Sequence, residues 1–203
     1  MRLGLLGPAL DQGEALASAA RGLRERLGAD RVVYLGADSA LDDLVRAWAE
    51  ELVGPRADDA TLMSRATSAC LDAAPDEIEA FLDRERQRTA LRMFESLAGE
   101  STRSVELIGG KVAVLLYDKA ELVEDDILPA TLLVFGKSKQ SLIKQVGRRW
   151  FLSPGTFPAH GILVVEDTGG ELRATSYDPS FELRETVRLE APQALKMRAL
   201  GAS

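Results

Sequence analysis

Two short apolar runs, Arg2–Leu6 (RLGLL) and Arg31–Leu35 (RVVYL), each stop at a glycine and are each followed by a stripe of helix length. No other feature constrains the fold as strongly. An apolar run without polar alternation fits a strand buried on both faces, the usual condition of a parallel sheet. Gly7 and Pro8 stop the first run. Ala15, Leu16, Ala19, Leu23 and Leu27 then recur at three-to-four spacing, which predicts a helix over about 13–27 with Gly28 as its stop. Gly36 ends the second run, and Leu41, Leu44, Val45, Trp48 and Leu52 predict a helix over 40–52, closed by Gly54 and Pro55. Two successive strand–helix units predict parallel pairing with right-handed crossovers.

The next stretch, 61–97, reads as helical. Pro75 stands where a helix can start, and Asp76 and Glu77 suit the positive end of its dipole. Ile78, Phe81, Leu82, Leu91, Phe94 and Leu97 are its expected buried residues. From Ser104 the texture becomes that of strands. Val105–Ile108 and Val112–Leu116 flank Gly109-Gly110 and predict a hairpin. Further strands are expected at 131–135, 150–152, 161–166 and 172–177, with a turn at Thr168-Gly169-Gly170. Phe181–Leu189 (FELRETVRL) alternates as an exposed edge strand does. The expected organisation is one α/β (α+β) domain over 1–190 and a tail, 191–203, read as a short helix or disorder.

Composition narrows the chemistry. A net charge of −7 argues against a nucleic-acid or anionic-membrane binder, either of which needs a basic surface. No apolar run approaches the roughly 18 residues that span a bilayer, and the N-terminal stretch is broken too soon by Gly7 and Pro8 to read as a signal peptide. A single cysteine, Cys70, forbids an intramolecular disulfide, so a cytoplasmic setting is expected. His160 is the only histidine, which excludes a metal centre rich in imidazole or thiolate.

The stretch Leu133–Thr156 (LVFGKSKQSLIKQVGRRWFLSPGT) runs from a buried strand through a glycine-led loop and a second strand into Ser153-Pro154-Gly155-Thr156. It resembles the last metal-binding signature of calcineurin-like metallophosphoesterases, Gly-His-x-His followed by Asn-Pro-Gly-Ser, with both histidines replaced by lysine. Three more blocks are similar to that family in the same order: MRLGLLGPALDQGEAL, VVYLGADSALDDLV and TALRMFESLAGESTRSVELIGGKVAVLLYDK. The closing GILVVEDTGGELRATSYD matches its last hairpin. The resemblance covers residues 1 to about 190 and points to the small single-domain bacterial phosphodiesterase branch. It implies a metallophosphoesterase-like four-layer sandwich, two packed mixed β-sheets flanked by helices, with two metals held by loops at the strand ends.

The same resemblance removes the ligands. The family's first Asp and His fall on Pro8 and Leu10, and its bridging Asp on Ala37. The Asn that follows has no clear counterpart, Gly54-Pro55-Arg56 being the nearest stretch. The His ending the hairpin strand falls on Tyr117, and the paired histidines fall on Lys137 and Lys139. The family's mechanism needs two ions close together to activate water and neutralise phosphoryl oxygens. Proline, leucine and alanine offer no lone pair, and a protonated lysine has none free. The expectation is therefore a pseudo-enzyme without metal or other cofactor, acting as a protein-interaction or scaffold module for an unidentified protein partner. Phe181–Leu189 and the surface left by Leu10 and Ala37 are its expected contact regions.

Two alternatives stand beside this reading. Lys137 and Lys139, helped by Arg148, Arg149 and Lys144, form an anion or nucleotide sensor in the former metal pocket, or else are solvated loop residues. Alternatively the metal site is rebuilt with oxygen ligands, for which Asp11 and Asp38 are candidates. Tyr117-Asp118-Lys119 reads as a polar strand end rather than an acid–base site. Glu121, Glu124, Asp125 and Asp126 read as a solvated loop, a cation site or a docking patch. His160 reads as a surface turn residue and Cys70 as a small buried apolar side chain.

Overall fold

A computed structural model describes residues 1–97 and 99–190. The predicted tail, 191–203, lies outside the described residues. The chain forms two sheets. The first has strand order β11-β10-β9-β1-β2-β3, and the second β4-β5-β6-β8-β7. In the first sheet β1 (Arg2–Leu6) pairs in parallel with β2 (Arg31–Tyr34), and β2 with β3 (Phe94–Ser96). On the other side β1 pairs antiparallel with β9 (Ile162–Thr168), which continues through β10 (Glu171–Tyr177) to β11 (Leu183–Arg188). In the second sheet β5 (Lys111–Leu116), β6 (Leu132–Phe135) and β8 (Arg149–Ser153) are parallel, edged by antiparallel β4 (Arg103–Ile108) and β7 (Leu142–Val146).

The strand period of two decides which residues meet. Leu3, Leu5, Val33 and Leu35 of one sheet and Leu115, Leu132, Val134, Trp150 and Leu152 of the other form the core between the sheets. The alternate residues of the first sheet, Val32, Tyr34, Ile162 and Val164, face helices α1 (Gly13–Glu25) and α2 (Ala40–Val53). The outer face of the second sheet carries Val114, Leu116, Leu133 and Phe135, with Leu122 and Ala130 packed against it. That segment contains the four-residue helix α5 (Glu124–Ile127). The expected fold class, two packed mixed sheets flanked by helices, is what the structure shows, although the flanking is unequal on the two sides.

The predicted helix over 61–97 is corrected. It divides into α3 (Leu62–Cys70), α4 (Pro75–Ala90) and a single 3-10 turn, and its end is β3. Pro75 is the first residue of α4, and the Glu77 carboxylate accepts the Ala74 N–H at 2.8 Å, capping that end. Leu91, Phe94 and Leu97 have helical spacing, but Val32 pairs with Phe94 across the sheet edge, and this tertiary ladder overrides the local pattern.

Candidate functional site

Parallel pairing brings the C-terminal ends of β1 and β2, and of β5, β6 and β8, to the same side of their sheets, where ligands gather in α/β folds. The loops leaving these ends are 7–12, 35–39, 117–121, 136–141 and 154–161. They are tightly joined. A side chain on Gly136 would place its Cβ 1.9 Å from the Leu35 carbonyl oxygen, so the β2 and β6 loops meet backbone to backbone. The Pro8 carbonyl accepts the Phe157 N–H at 3.2 Å, and Gly7 donates to Gly161 at 2.9 Å, tying the β1 loop to the β8 loop.

Tyr34 holds the first two loops together. Its side chain is fully buried. Its hydroxyl accepts the Ala9 N–H at 3.0 Å and donates to Asp38 Oδ1 at 2.8 Å. Asp38 Oδ1 also accepts the Ala40 N–H at 3.0 Å, at the start of α2. The Pro8–Leu10 loop is thus bonded through one phenol to the loop of Ala37. Burial, followed by the neighbouring Asp38 carboxylate, pushes the Tyr34 hydroxyl far above its ordinary value. Asp38, a candidate ligand for a lone cation, gives its Oδ1 to this bridge. Pro8 is buried, Ala37 is half-buried and Leu10 is 59 % exposed.

The β5 and β6 loops are joined by charge. The Lys137 N–H donates to the Tyr117 carbonyl at 2.8 Å. Its ammonium lies 2.5 Å from Asp118 Oδ2 and 5.8 Å from the centre of the Tyr117 ring. The other Asp118 oxygen accepts the Ala120 N–H at 3.0 Å. The hydrogen bond from Lys137 holds the Asp118 carboxyl below the usual carboxylate range, and the same bond raises Lys137. Lys139 is exposed and has no ion-pair partner among the described residues. Lys119 lies with its ammonium 5.3 Å from the centre of the Phe135 ring.

Arg148 and Arg149 do not join Lys137 and Lys139. They stand at the β7–β8 turn, and the Trp150 N–H donates to the Thr131 carbonyl at the start of β6, whereas Lys137 follows the end of β6. Arg149 Nε is bonded to the Ile127 carbonyl at 3.0 Å. Lys144 sits within β7 opposite Phe151. Of the five cations expected at an anion site from sequence, the two loop lysines, Lys137 and Lys139, remain at this end of the sheet. His160 is half-buried, with its N–H bonded to the Thr156 carbonyl at 3.1 Å. Cys70 is half-buried on α3, not within a core cluster.

The donor set does not fit a pair of metal ions. Pro8, Leu10 and Ala37 carry no side-chain donor, Lys137 is held protonated by Asp118, and Tyr117 offers a single oxygen. Among the described residues no three His, Cys, Asp or Glu side chains gather in a way that could hold an ion. Sequence reasoning missed Tyr34, which reads as one more apolar residue of RVVYL. It also missed the Lys137–Asp118 pair, although Leu116 and Phe135 are in register and both charges lie two residues further on.

No family model and no curated protein sequence matches this chain. Solved structures do. A double mutant of Vps29 from Entamoeba histolytica is 18% identical, with 94% of this chain and 100% of that one covered at a TM-score of 0.50. A predicted phosphoesterase from Streptococcus pneumoniae is 11% identical over 93% and 98% of the two chains, with a TM-score of 0.47. An archaeal phosphodiesterase is 13% identical over 93% and 100%, with a TM-score of 0.42. The chain has the calcineurin-like metallophosphoesterase fold. No helix among the described residues is long and apolar enough to cross a membrane.

Proposed function

We propose that this chain is a catalytically inactive form of the metallophosphoesterase fold, placed in the cytoplasm, that works by binding another protein. One observation carries the reading. The loops that hold metals in this fold are here cross-linked by the chain's own side chains, Tyr34 to Asp38 and Ala9, and Lys137 to Asp118. These bonds do the positioning that shared metal ligands would otherwise do. Neither bond gathers the several ligands that a bound metal ion needs.

The test is metal analysis of the purified chain together with a phosphodiesterase assay over added Mg, Mn and Ni. The expected result is no stoichiometric metal and no turnover. Bound Mn or Ni at one or more equivalents, or turnover abolished by a chelator, overturns the reading in favour of a rebuilt metal site. A second reading, a small-anion sensor, draws support from exposed Lys139 beside Lys137. It requires Lys137 to leave Asp118, and it fails if millimolar phosphate or nucleotide leaves the melting temperature unchanged.

A further inference from the structure

Two sheets of this kind offer four edges, β11 and β3 in one and β4 and β7 in the other. These edges differ. On β11, Arg184 and Arg188 are paired with Asp178 and Glu171 at 2.5 and 2.6 Å, and charges along an edge discourage further pairing. The expected contact strand 181–189 is therefore a protected edge. Strand β3 is three residues long, and β7 sets Lys144 between Leu142 and Val146. Strand β4 has six residues and turns Val105 and Leu107 outward, 67% and 66% exposed.

The backbone of β4 is open along the same edge. Ile108 pairs with Lys111 across Gly109 and Gly110, whose φ values of 56° and 71° are those of a two-residue type I′ turn. Such a turn closes on a hydrogen-bonded pair, and bonded pairs then alternate, so 104, 106 and 108 bond to β5. The N–H and C=O groups of Arg103, Val105 and Leu107 are left directed off the sheet. Among the described residues no other backbone bond uses them. Val105 continues an apolar row through Val114, Leu133 and Phe151.

The charge beside this edge is negative. Arg103 donates to Asp126 Oδ2 at 2.8 Å and to the Glu121 carbonyl at 2.6 Å, which draws the acidic segment 121–126 against the start of β4. Glu121, Glu124 and Asp125 remain exposed there.

We propose that β4 is a docking edge for an extended segment of a partner protein, one in which apolar residues alternate with lysine or arginine. The open N–H and C=O groups supply main-chain pairing, exposed Val105 and Leu107 receive every second side chain, and the acidic segment selects positive charge. The proposal rests on the reading of the chain as a protein-binding module and names the surface and the chemistry it accepts.

The test uses the full chain and two synthetic ten-residue peptides, one alternating Val and Lys and one alternating Val and Glu. Amide hydrogen exchange is followed by NMR. With the Val/Lys peptide the amides of Arg103, Val105 and Leu107 are expected to slow by about tenfold or more, and the effect weakens with added salt. The Val/Glu peptide has no effect, and the variant Val105→Lys, which keeps the fold because the position is exposed, loses the response to Val/Lys. Absence of slowing with Val/Lys overturns the proposal. So does protection already present in the full chain and lost when the chain ends at Glu190, which assigns the edge to residues 191–203. Protection that grows with protein concentration as the mass doubles assigns it to a second copy. A phosphodiesterase assay on the same preparation separates the two readings, since turnover retires catalytic inactivity while leaving the edge result standing.

Discussion

The Tyr34 hydroxyl donates to Asp38 Oδ1 at 2.8 Å while accepting the Ala9 N–H at 3.0 Å, so one buried phenol ties together the loops that follow β1 and β2. Removing it leaves a buried N–H without a partner. Tyr34→Phe is expected to lower stability by about 1–3 kcal/mol, the cost of one orphaned buried donor. Urea unfolding should show a lower midpoint with an unchanged slope. A variant as stable as the parent would mean that Ala9 finds water instead.

The same phenol sets a dependence on alkaline pH. Its folded value lies above the ordinary 10.0, so the native state keeps a proton that the unfolded chain releases. The contribution is complete below pH 10 and is lost as pH rises from there through the folded value. The parent should lose stability more steeply above pH 10 than Tyr34→Phe, as read by unfolding at several pH values.

The Lys137–Asp118 pair titrates in two windows. Asp118 is depressed below its ordinary 3.8, so its contribution is present above that value and is lost as pH falls through the folded one. Lys137 is raised above 10.5, so its contribution is present below that value and is lost as pH climbs through the folded one. Replacing Lys137 by Met is expected to move the Asp118 carboxyl upward, measured by its carbon chemical shift. Added salt should do the same in part, because Lys137 is 58% exposed.

How much of this was legible in the sequence depends on the distance between partners. Helices α1 and α2 and the hairpin at Gly109-Gly110 were readable because their periods and stops are local. Strand β3 was not, since Leu91, Phe94 and Leu97 repeat with helical spacing and only the ladder from Val32 to Phe94 reveals a strand. At the site, the side chains at the expected ligand positions, Pro8, Leu10, Ala37, Tyr117, Lys137 and Lys139, could be read one by one. The bonds that join these loops could not. The Tyr34–Ala9 bond spans 25 residues and Lys137–Asp118 spans 19, and neither carries a periodic signal. Arg148 and Arg149 misled because closeness in sequence to Lys139 hides a strand that carries them to the opposite end of the sheet.

Glu85 holds the helical pair α3–α4 in place. Its carboxylate binds Arg65 Nε at 2.8 Å and Arg88 Nε at 2.6 Å, while Arg88 continues to Asp59 at 2.9 Å. Glu85 and Arg88 are buried, and the bond from Arg65 holds the Glu85 carboxyl low. Glu85→Ala leaves Arg65 without an ion-pair partner and Arg88 with Asp59 alone, and is expected to cost about 3 kcal/mol, the low end of the usual penalty for breaking a buried pair on one side. Asp59→Asn, at a position 57% exposed, should cost clearly less by the same urea measurement.

Gly136 offers the sharpest test of how closely the two sheets meet at the site. Its Cβ position lies 1.9 Å from the Leu35 carbonyl oxygen and 2.8 Å from the Leu35 carbonyl carbon, both backbone atoms that no rotamer change can move. Gly136→Ala therefore has to separate the β2 and β6 loops. Overpacking usually costs about 1–3 kcal/mol, and a clash with main chain places this variant at or above that range. Gly13, at the start of α1, has nothing within 4 Å of its Cβ position, and Gly13→Ala should be neutral or slightly stabilising. Hydrogen exchange separates local from global effects. In Gly136→Ala the amides of Leu35 and Lys137 should exchange faster than those of α1, because their bonds to the Leu6 and Tyr117 carbonyls, 2.8 Å each, straddle the contact that the added methyl disrupts. Uniform acceleration across the chain would instead mean that the variant lowers global stability without opening the site.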